Sequence, residues 1–447
     1  MTETDVIENL PELIATRDWD ELRGILGQLA DQDIARATPD LSPQERERLF
    51  AHLLSPERAS NVFSYLSTEQ QTEVLDALED EDKARLIGEL HYDDAAALLD
   101  ELPDEHTELL MEMLPVEDQQ VLQALLTYPE DSAGRLMNPE FITVRPDWSV
   151  GQALDHVREQ HDVGENVNMV FVTSAQGQVL GTLRLRDLLL ARPSTKVHDI
   201  GHGDVISIGT DEDQEEAARV IRHYDLEVLP VVDDQGVMRG IITLDDILDV
   251  VEEETTEDFQ KMGSVGVVGL SLKEASASLL YRKRIGWLVI LVVVNIFSGM
   301  AIALFEAAIE TVVALVFFLP LVIASGGNAG AQSSTLMVRA LATGDVQTRD
   351  WLKLWGKELL VSAALGATMG LAVWGAGIWL GGVDVGLAVA ISMVLVVVMA
   401  SMFGMVLPFA LNRFGLDPAS ASAPLITSVA DVFGILIYFS VATAVLL

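Results

Sequence analysis

Five stretches in the last third of the chain are almost free of charge, and each is long enough to cross a bilayer as a helix. They run from Ile285 to Phe305, Thr311 to Val338, Leu359 to Val383, Val385 to Asn412 and Pro418 to Leu447. A spanning helix needs roughly 20 apolar residues, and a soluble globule has no use for five such segments in succession. The fold class read from this is a multidomain membrane protein with an α-helical transmembrane domain of five spans over residues 285–447.

Charge separates this part from the rest. The chain has 447 residues, 28 basic and 68 acidic. From Ile285 onward there are five basic and eight acidic residues, which leaves 23 and 60 in residues 1–284, about −37. Cysteine is absent, which excludes disulfides and thiolate metal sites. The N-terminus, Met1 to Leu10, has neither a basic nor an apolar signal segment, so the acidic region is expected to stay in the cytoplasm. Basic residues cluster before the first span (Arg282, Lys283, Arg284) and in the second loop (Arg339, Arg349, Lys353, Lys357), whereas the first and third loops carry Glu306, Glu310 and Asp384. The positive-inside rule then puts the N-terminus inside and the C-terminus outside the cytoplasmic membrane. Lipid and divalent cations are the expected partners; nucleic acid is not.

Within the acidic region two repeats stand out. Residues 45–126 repeat two adjacent apolar residues and a third four positions after the first: Leu49/Phe50/Leu53, Val62/Phe63/Leu66, Val74/Leu75/Leu78, Leu86/Ile87/Leu90, Leu98/Leu99/Leu102, Leu109/Leu110/Met113 and Val121/Leu122/Leu125. Each unit reads as one short amphipathic helix, and such units bury their faces only by stacking, so residues 1–132 are expected to form an all-α superhelix. The second repeat matches Val170–Asp187 to Leu229–Asp246 at an offset of 59, and Thr143–Val150 to Ser207–Gln214 at 64. Each copy reads strand, helix, strand, Gly turn, strand, helix. The pair resembles tandem CBS (cystathionine beta-synthase-type) modules, 133–195 and 196–252. Their Gly-h-h-Thr-x-x-Asp signature is intact at Gly240, Thr243 and Asp246, while Arg184 replaces Thr between Gly181 and Asp187. The resemblance implies an α/β disc whose cleft either binds ATP or another adenine nucleotide, through Arg186, Asp187, Thr243 and Asp246, or is purely structural. Residues 253–284 read as a connector helix placed to pass a force to the first span.

Two spans carry the polar features. In the second, Gly326, Gly330 and Ser334 recur every four positions, which suits either a tight packing seam or a weakened helix whose carbonyls face water. In the fifth, Asp431 lies seven residues past Pro424, roughly 10 Å along a helix. A lone Asp near mid-span costs roughly 2.5–3.5 kcal/mol on insertion scales, and no other span holds a Lys, Arg or His to pair with it. It is therefore part of an ion pathway or a buried, protonated carboxyl. The spans also lack His, Glu and Lys for a second catalytic group, so no enzyme is expected.

The whole chain resembles the MgtE family of magnesium channels: superhelix, two CBS modules, connector and five spans. The closest matching blocks are Gly326–Gly330, Arg339–Thr343, Leu407–Phe409, Asp417–Pro418 and Pro424 to Asp431. The resemblance implies a homodimer that passes Mg2+ through a pore lined by the second and fifth spans, with Asp431, Asn328, Thr335, Gly326 and Thr427 at the ion path. It also implies closure by Mg2+ bound to Asp93, Glu215, Asp225, Asp246, Asp249, Glu254, Glu257, Asp258 and Asp417. The chain departs from the family pattern at Ala331 and Ala423, where the family has Asn, and at Asn61 and Ala97, where it has acidic ligands. Cobalt, manganese or nickel are therefore further candidate ions, and an ion-coupled carrier or exporter is the alternative to a channel.

Overall fold

The computed structural model describes residues 10–15, 19–160, 168–201, 205–268, 275–346 and 350–447. Two compact units result, Met1–Glu252 and Glu253–Leu447.

The first unit begins with a chain of short helices: Leu10–Ala15, Trp19–Leu26, Asp31–Ala37, Pro43–Glu47, Pro56–Ser64, Thr68–Ala77, Asp80–Gly88, Tyr92–Glu101, Asp104–Met113 and Val116–Leu125. Local chemistry sets their ends. Ser42 with Glu45, and Ser67 with Gln70, form capping boxes that satisfy otherwise unpaired N–H groups. Pro43 and Pro56 sit where a helix has no N–H to lose. Several helices stop on an extended Leu (Leu78, Leu102, Leu114) whose side chain drops into the core. The apolar repeat is thus both the buried face and the stop. Its sixth unit is shifted: Leu109 is 48% exposed, and Leu110 and Leu114 point inward instead. Residues 48–53, in the first unit of the repeat, wind as a π-helix. Among the described residues, the α-helices Leu10–Ala15, Trp19–Leu26 and Asp31–Ala37 precede the periodic stretch.

The two CBS modules are built alike. Strands β1 (Thr143–Val144), β2 (Met169–Thr173) and β3 (Val179–Arg184) form one sheet; β4 (Ile208–Gly209), β5 (Val228–Val232) and β6 (Met238–Thr243) form the other. In each, the first pairing is parallel and the second antiparallel, and the register slips at equivalent positions, Val172/Thr173 and Val231/Val232. The turns interlock, with the Val179 N–H donating to Gly236 O and the Met238 N–H to Gly177 O. Residues 132–138, which the sequence reading groups largely with the first module, bond to the second: Gly134 N–H to Thr210 O, and Asn138 with Ile241 in both directions. The core of the superhelix therefore runs on into the second module, through Met137, Leu229, Val231 and Ile242.

The connector is not a helix of its own. One helix runs from Leu244 to Met262, continuing the last helix of the second module, and the next begins at Ala277 as the start of the first span. The helical reading of 272–281 holds from Ala277; residues 272–274, like Arg349, lie outside the described residues.

The five span helices are Ala277–Ala303, Ala314–Ala342, Trp351–Gly381, Val383–Arg413 and Ala423–Leu446. The first is the most exposed and the fourth the most buried, with Ser392, Met393, Val396, Val397 and Ala400 inaccessible. The second and fourth spans touch at Gly330 and Gly404: a Cβ at Gly330 would stand 2.8 Å from Ala400 O, so only glycine permits this approach. The fifth helix starts later than the uncharged stretch, because Asp417 caps a separate short turn, Pro418–Ser420.

Candidate pore and sensor sites

The second and fifth spans run side by side in opposite directions. Ser334 Oγ donates to Ala421 O at 2.8 Å near one end, and Tyr438 Oη donates to Leu315 O at 2.8 Å near the other. Between them, a Cβ on Gly327 would lie 2.8 Å from the Thr427 methyl, and one on Gly434 would lie 3.0 Å from Ile323 Cδ1. Thr427, Asp431 and Gly434 are spaced as one helical face, so the half-buried Asp431 sits on the face of the fifth span that follows the second. Asn328 and Thr335 are exposed on the second span, with the half-buried Ala331 between them. Gly326 is turned the other way: a Cβ there would lie 2.5 Å from Val396 of the fourth span. The four-residue repeat at Gly326, Gly330 and Ser334 is thus a packing seam, and the polar candidates Asn328 and Thr335 lie on another face.

The sensor candidates fall into groups. Asp246 and Asp249 meet Asp245 and Asp94. Asp94, on the helix Tyr92–Glu101, has its carboxyl pushed up to about 6 by burial, with His91 opposing and Asp246, Asp249 and Asp245 reinforcing. Burial also raises Asp246, against hydrogen bonds from the Thr243 hydroxyl (2.6 Å) and N–H (3.0 Å), and raises Asp249, with Glu252 and Asp245 adding to it. Sequence reasoning missed Asp94: it singled out the neighbouring Asp93, which the Asn138 amide contacts at 3.4 Å.

In the second unit, Glu254, Glu257, Asp258 and Asp417 gather. Burial pushes Asp258 up to about 6; Asp417, Glu254 and Glu257 add to this and Lys261 opposes it. Glu215 and Asp225 lie on another element. They stand at opposite ends of the helix Gln214–Tyr224, roughly 15 Å apart by helical rise, too far to share an ion within one chain. The nucleotide candidates differ between modules: Thr243 is buried and locks Asp246, whereas Arg186 and Asp187 are exposed at the start of the helix Leu185–Leu190. A cavity of about 650 Å³ also opens in the first unit, lined by Glu57, Asn61, Glu89, His91, Tyr92, Asp118 and Glu140, with the Tyr92 hydroxyl donating to Asp118 at 2.8 Å.

Among the described residues, no three His, Asp or Glu side chains are placed to hold a metal ion together. Carboxylate oxygens are still the donor type that Mg2+ takes, and Mg2+ keeps several waters while using one or two carboxylates. The Asp94–Asp246–Asp249 group suits an ion held partly through water.

Five spans behind a helical repeat and a paired CBS module define a multi-pass membrane protein of the transporter class. The divalent cation transporter model of the MgtE family matches residues 319–441, its intracellular N domain model matches 29–131, and the CBS domain model matches 133–194 and 197–253. The chain is 43% identical to the magnesium transporter MgtE of Thermus thermophilus over 72% of each chain. It is 37% identical to that of Bacillus subtilis, over 72% of this chain and 71% of the relative. Among solved structures, the cytosolic domain of the Mg2+ channel MgtE in complex with ATP covers 55% of this chain and 99% of its own, with 35% identity and a TM-score of 0.52. The chain belongs to the MgtE family.

Proposed function

We propose that this protein is a channel that admits Mg2+ across the cytoplasmic membrane and is closed by Mg2+ bound to its acidic soluble region. The observation that carries the reading is Asp431: the one Asp, Glu, Lys, Arg or His in the uncharged stretches, on the face of the fifth span that follows the second. Two copies about a two-fold axis present a pair of such carboxylates in water. A hydrated ion is then held by charge and by polar groups such as Asn328, Thr335 and Thr427, weakly enough to leave again. The N-terminus and soluble region lie inside and the C-terminus outside, a reading supported by the basic residues of the even loops. When cytosolic Mg2+ is scarce, the carboxylates about Asp94 repel one another and resist closure. When it is abundant, bound ions remove that repulsion, and the population shifts by the difference in affinity between the two states. Asp246 is held by Thr243 beside the acidic group, which favours an ion-sensing role for it; ATP in the CBS cleft, with Arg186 and Asp187 near its ribose, is a separate part of the proposal.

Asp431→Asn keeps the size and removes the charge. It is expected to fold and dimerise normally, yet abolish Mg2+ uptake in Mg2+-starved cells. Uptake at the parent rate would end the pore assignment.

A further inference from the structure

The last turn of the helix Leu244–Met262 is fastened within the membrane unit at two points. Lys261 Nζ lies 2.7 Å from Asp417 Oδ2 and also pairs with Glu257, one turn earlier. Asp417 is fixed in turn, since its other carboxylate oxygen accepts the Ala419 N–H at 2.7 Å. Three residues beyond Lys261, Ser264 takes a positive φ of 56°, and its hydroxyl meets the Ser422 hydroxyl at 2.6 Å, both residues being buried. Ser422 is the N-cap of the fifth span, the helix that carries Asp431. The connector therefore reaches the entrance of that span through one ionic and one neutral contact.

Lys261 is the only basic residue between Arg239 and Lys273, a stretch with eight acidic ones. Its side chain is 30% exposed, and its ammonium lies within ion-pair reach of both Glu257 and Asp417. We propose that Lys261 is the resident counter-cation of the Glu257, Asp258 and Asp417 carboxylates: it lets the connector dock at the fifth-span entrance without a metal ion, and a divalent ion reaching these carboxylates replaces it. A lysine suits this exchange. Its ammonium is a compact charge on a flexible stem, which swings out without moving the helix. The neutral Ser264–Ser422 contact stays in register whichever cation is present. The inference deepens the gated-channel reading and rests on it only for the meaning of docking.

The absence of cysteine gives a clean test. Ser264→Cys with Ser422→Cys places one thiol pair in the full-length protein, and mild oxidation by copper phenanthroline reports docking as a disulfide without any reference to ion flux. With Lys261 present, the pair is expected to cross-link in chelator. Lys261→Gln should lower the cross-linked fraction in chelator about fivefold, the scale of a partly exposed ion pair, and Mg2+ should restore it; Lys261→Arg should behave as the parent. Equal cross-linking of Lys261→Gln and the parent in chelator would overturn the counter-cation role. Failure of Mg2+ to restore cross-linking would overturn the exchange, and no cross-linking in any condition would overturn the docking itself. None of these outcomes depends on whether Asp431 conducts.

Discussion

In the soluble unit Asp94 lies among Asp245, Asp246 and Asp249, with the imidazole of His91 opposing them; in the membrane unit Asp258 lies among Glu254, Glu257 and Asp417, with the ammonium of Lys261 opposing them. The residue types are the same, and a single helix, Leu244–Met262, contributes to both groups. The difference lies in who supplies the positive charge. Like charges brought together in a partly buried place must lose charge, separate or find a cation. The membrane unit carries one on its own chain. About Asp94 the opposing group is the His91 imidazole, so on the proposed reading closure there draws on ions from solution. The proposed reading therefore casts the first group as the sensor and the second as the latch.

The largest expected effect comes from removing a charge at the sensor. Asp94→Asn takes away a carboxyl whose pKa stands near 6 rather than 3.8. At 1.36 kcal/mol per unit, discounted for remaining solvation, this is ~1–2 kcal/mol. Amide exchange over residues 92–101 and 244–252 of the full chain should slow about tenfold in chelator, and Mg2+ should add little more. Unchanged exchange would remove Asp94 from the sensor. The pH dependence has the same sign. A carboxyl raised by folding binds more protons in the folded state, so stability is fully present below pH 3.8 and falls as pH rises through about 6. Acidifying from pH 7 to 5 in chelator should therefore mimic the variant.

A smaller effect is expected where the chain lacks family ligands. Asn61→Asp with Ala97→Asp adds two carboxylates to the superhelix, and the Mg2+ midpoint for the same exchange protection should fall a few-fold. A midpoint that stays put would mean that neither position meets the ion. The smallest effect belongs to charges that belong to neither group. Arg158 and Asp155 pair at 2.8 Å with side chains 68% and 71% exposed. Such pairs contribute at most about 1 kcal/mol, so Arg158→Ala should leave Mg2+-dependent protection unchanged. A shift there would mean that net charge, rather than these clusters, sets the response.

Much of this comparison was legible in the sequence, and the gaps have physical reasons. The spans follow from hydrophobicity and length, and the CBS pair from its offset of 59 and the Gly240/Thr243/Asp246 signature. The superhelix follows from its repeat, except at Leu109, where a one-residue shift leaves the pattern intact but turns the side chain out. The pore line was half legible. Composition marks Asp431, but a stripe of small residues does not say which neighbour it faces, and Gly326 faces the fourth span. The sensor candidates on the helix Leu244–Met262 came from the family resemblance. Asp94 and Lys261 could not be read that way, because their roles arise from partners more than 150 residues away.

On the proposed reading one molecule both passes Mg2+ and is closed by it. Single-channel recording of the reconstituted protein, with Mg2+ as the only permeant cation and its cytosolic concentration varied, tests this most directly. Unitary current steps are predicted, with an open fraction that falls as cytosolic Mg2+ rises through the millimolar range, and no steps from Asp431→Asn. Flux without unitary steps, or steps indifferent to cytosolic Mg2+, would contradict the account.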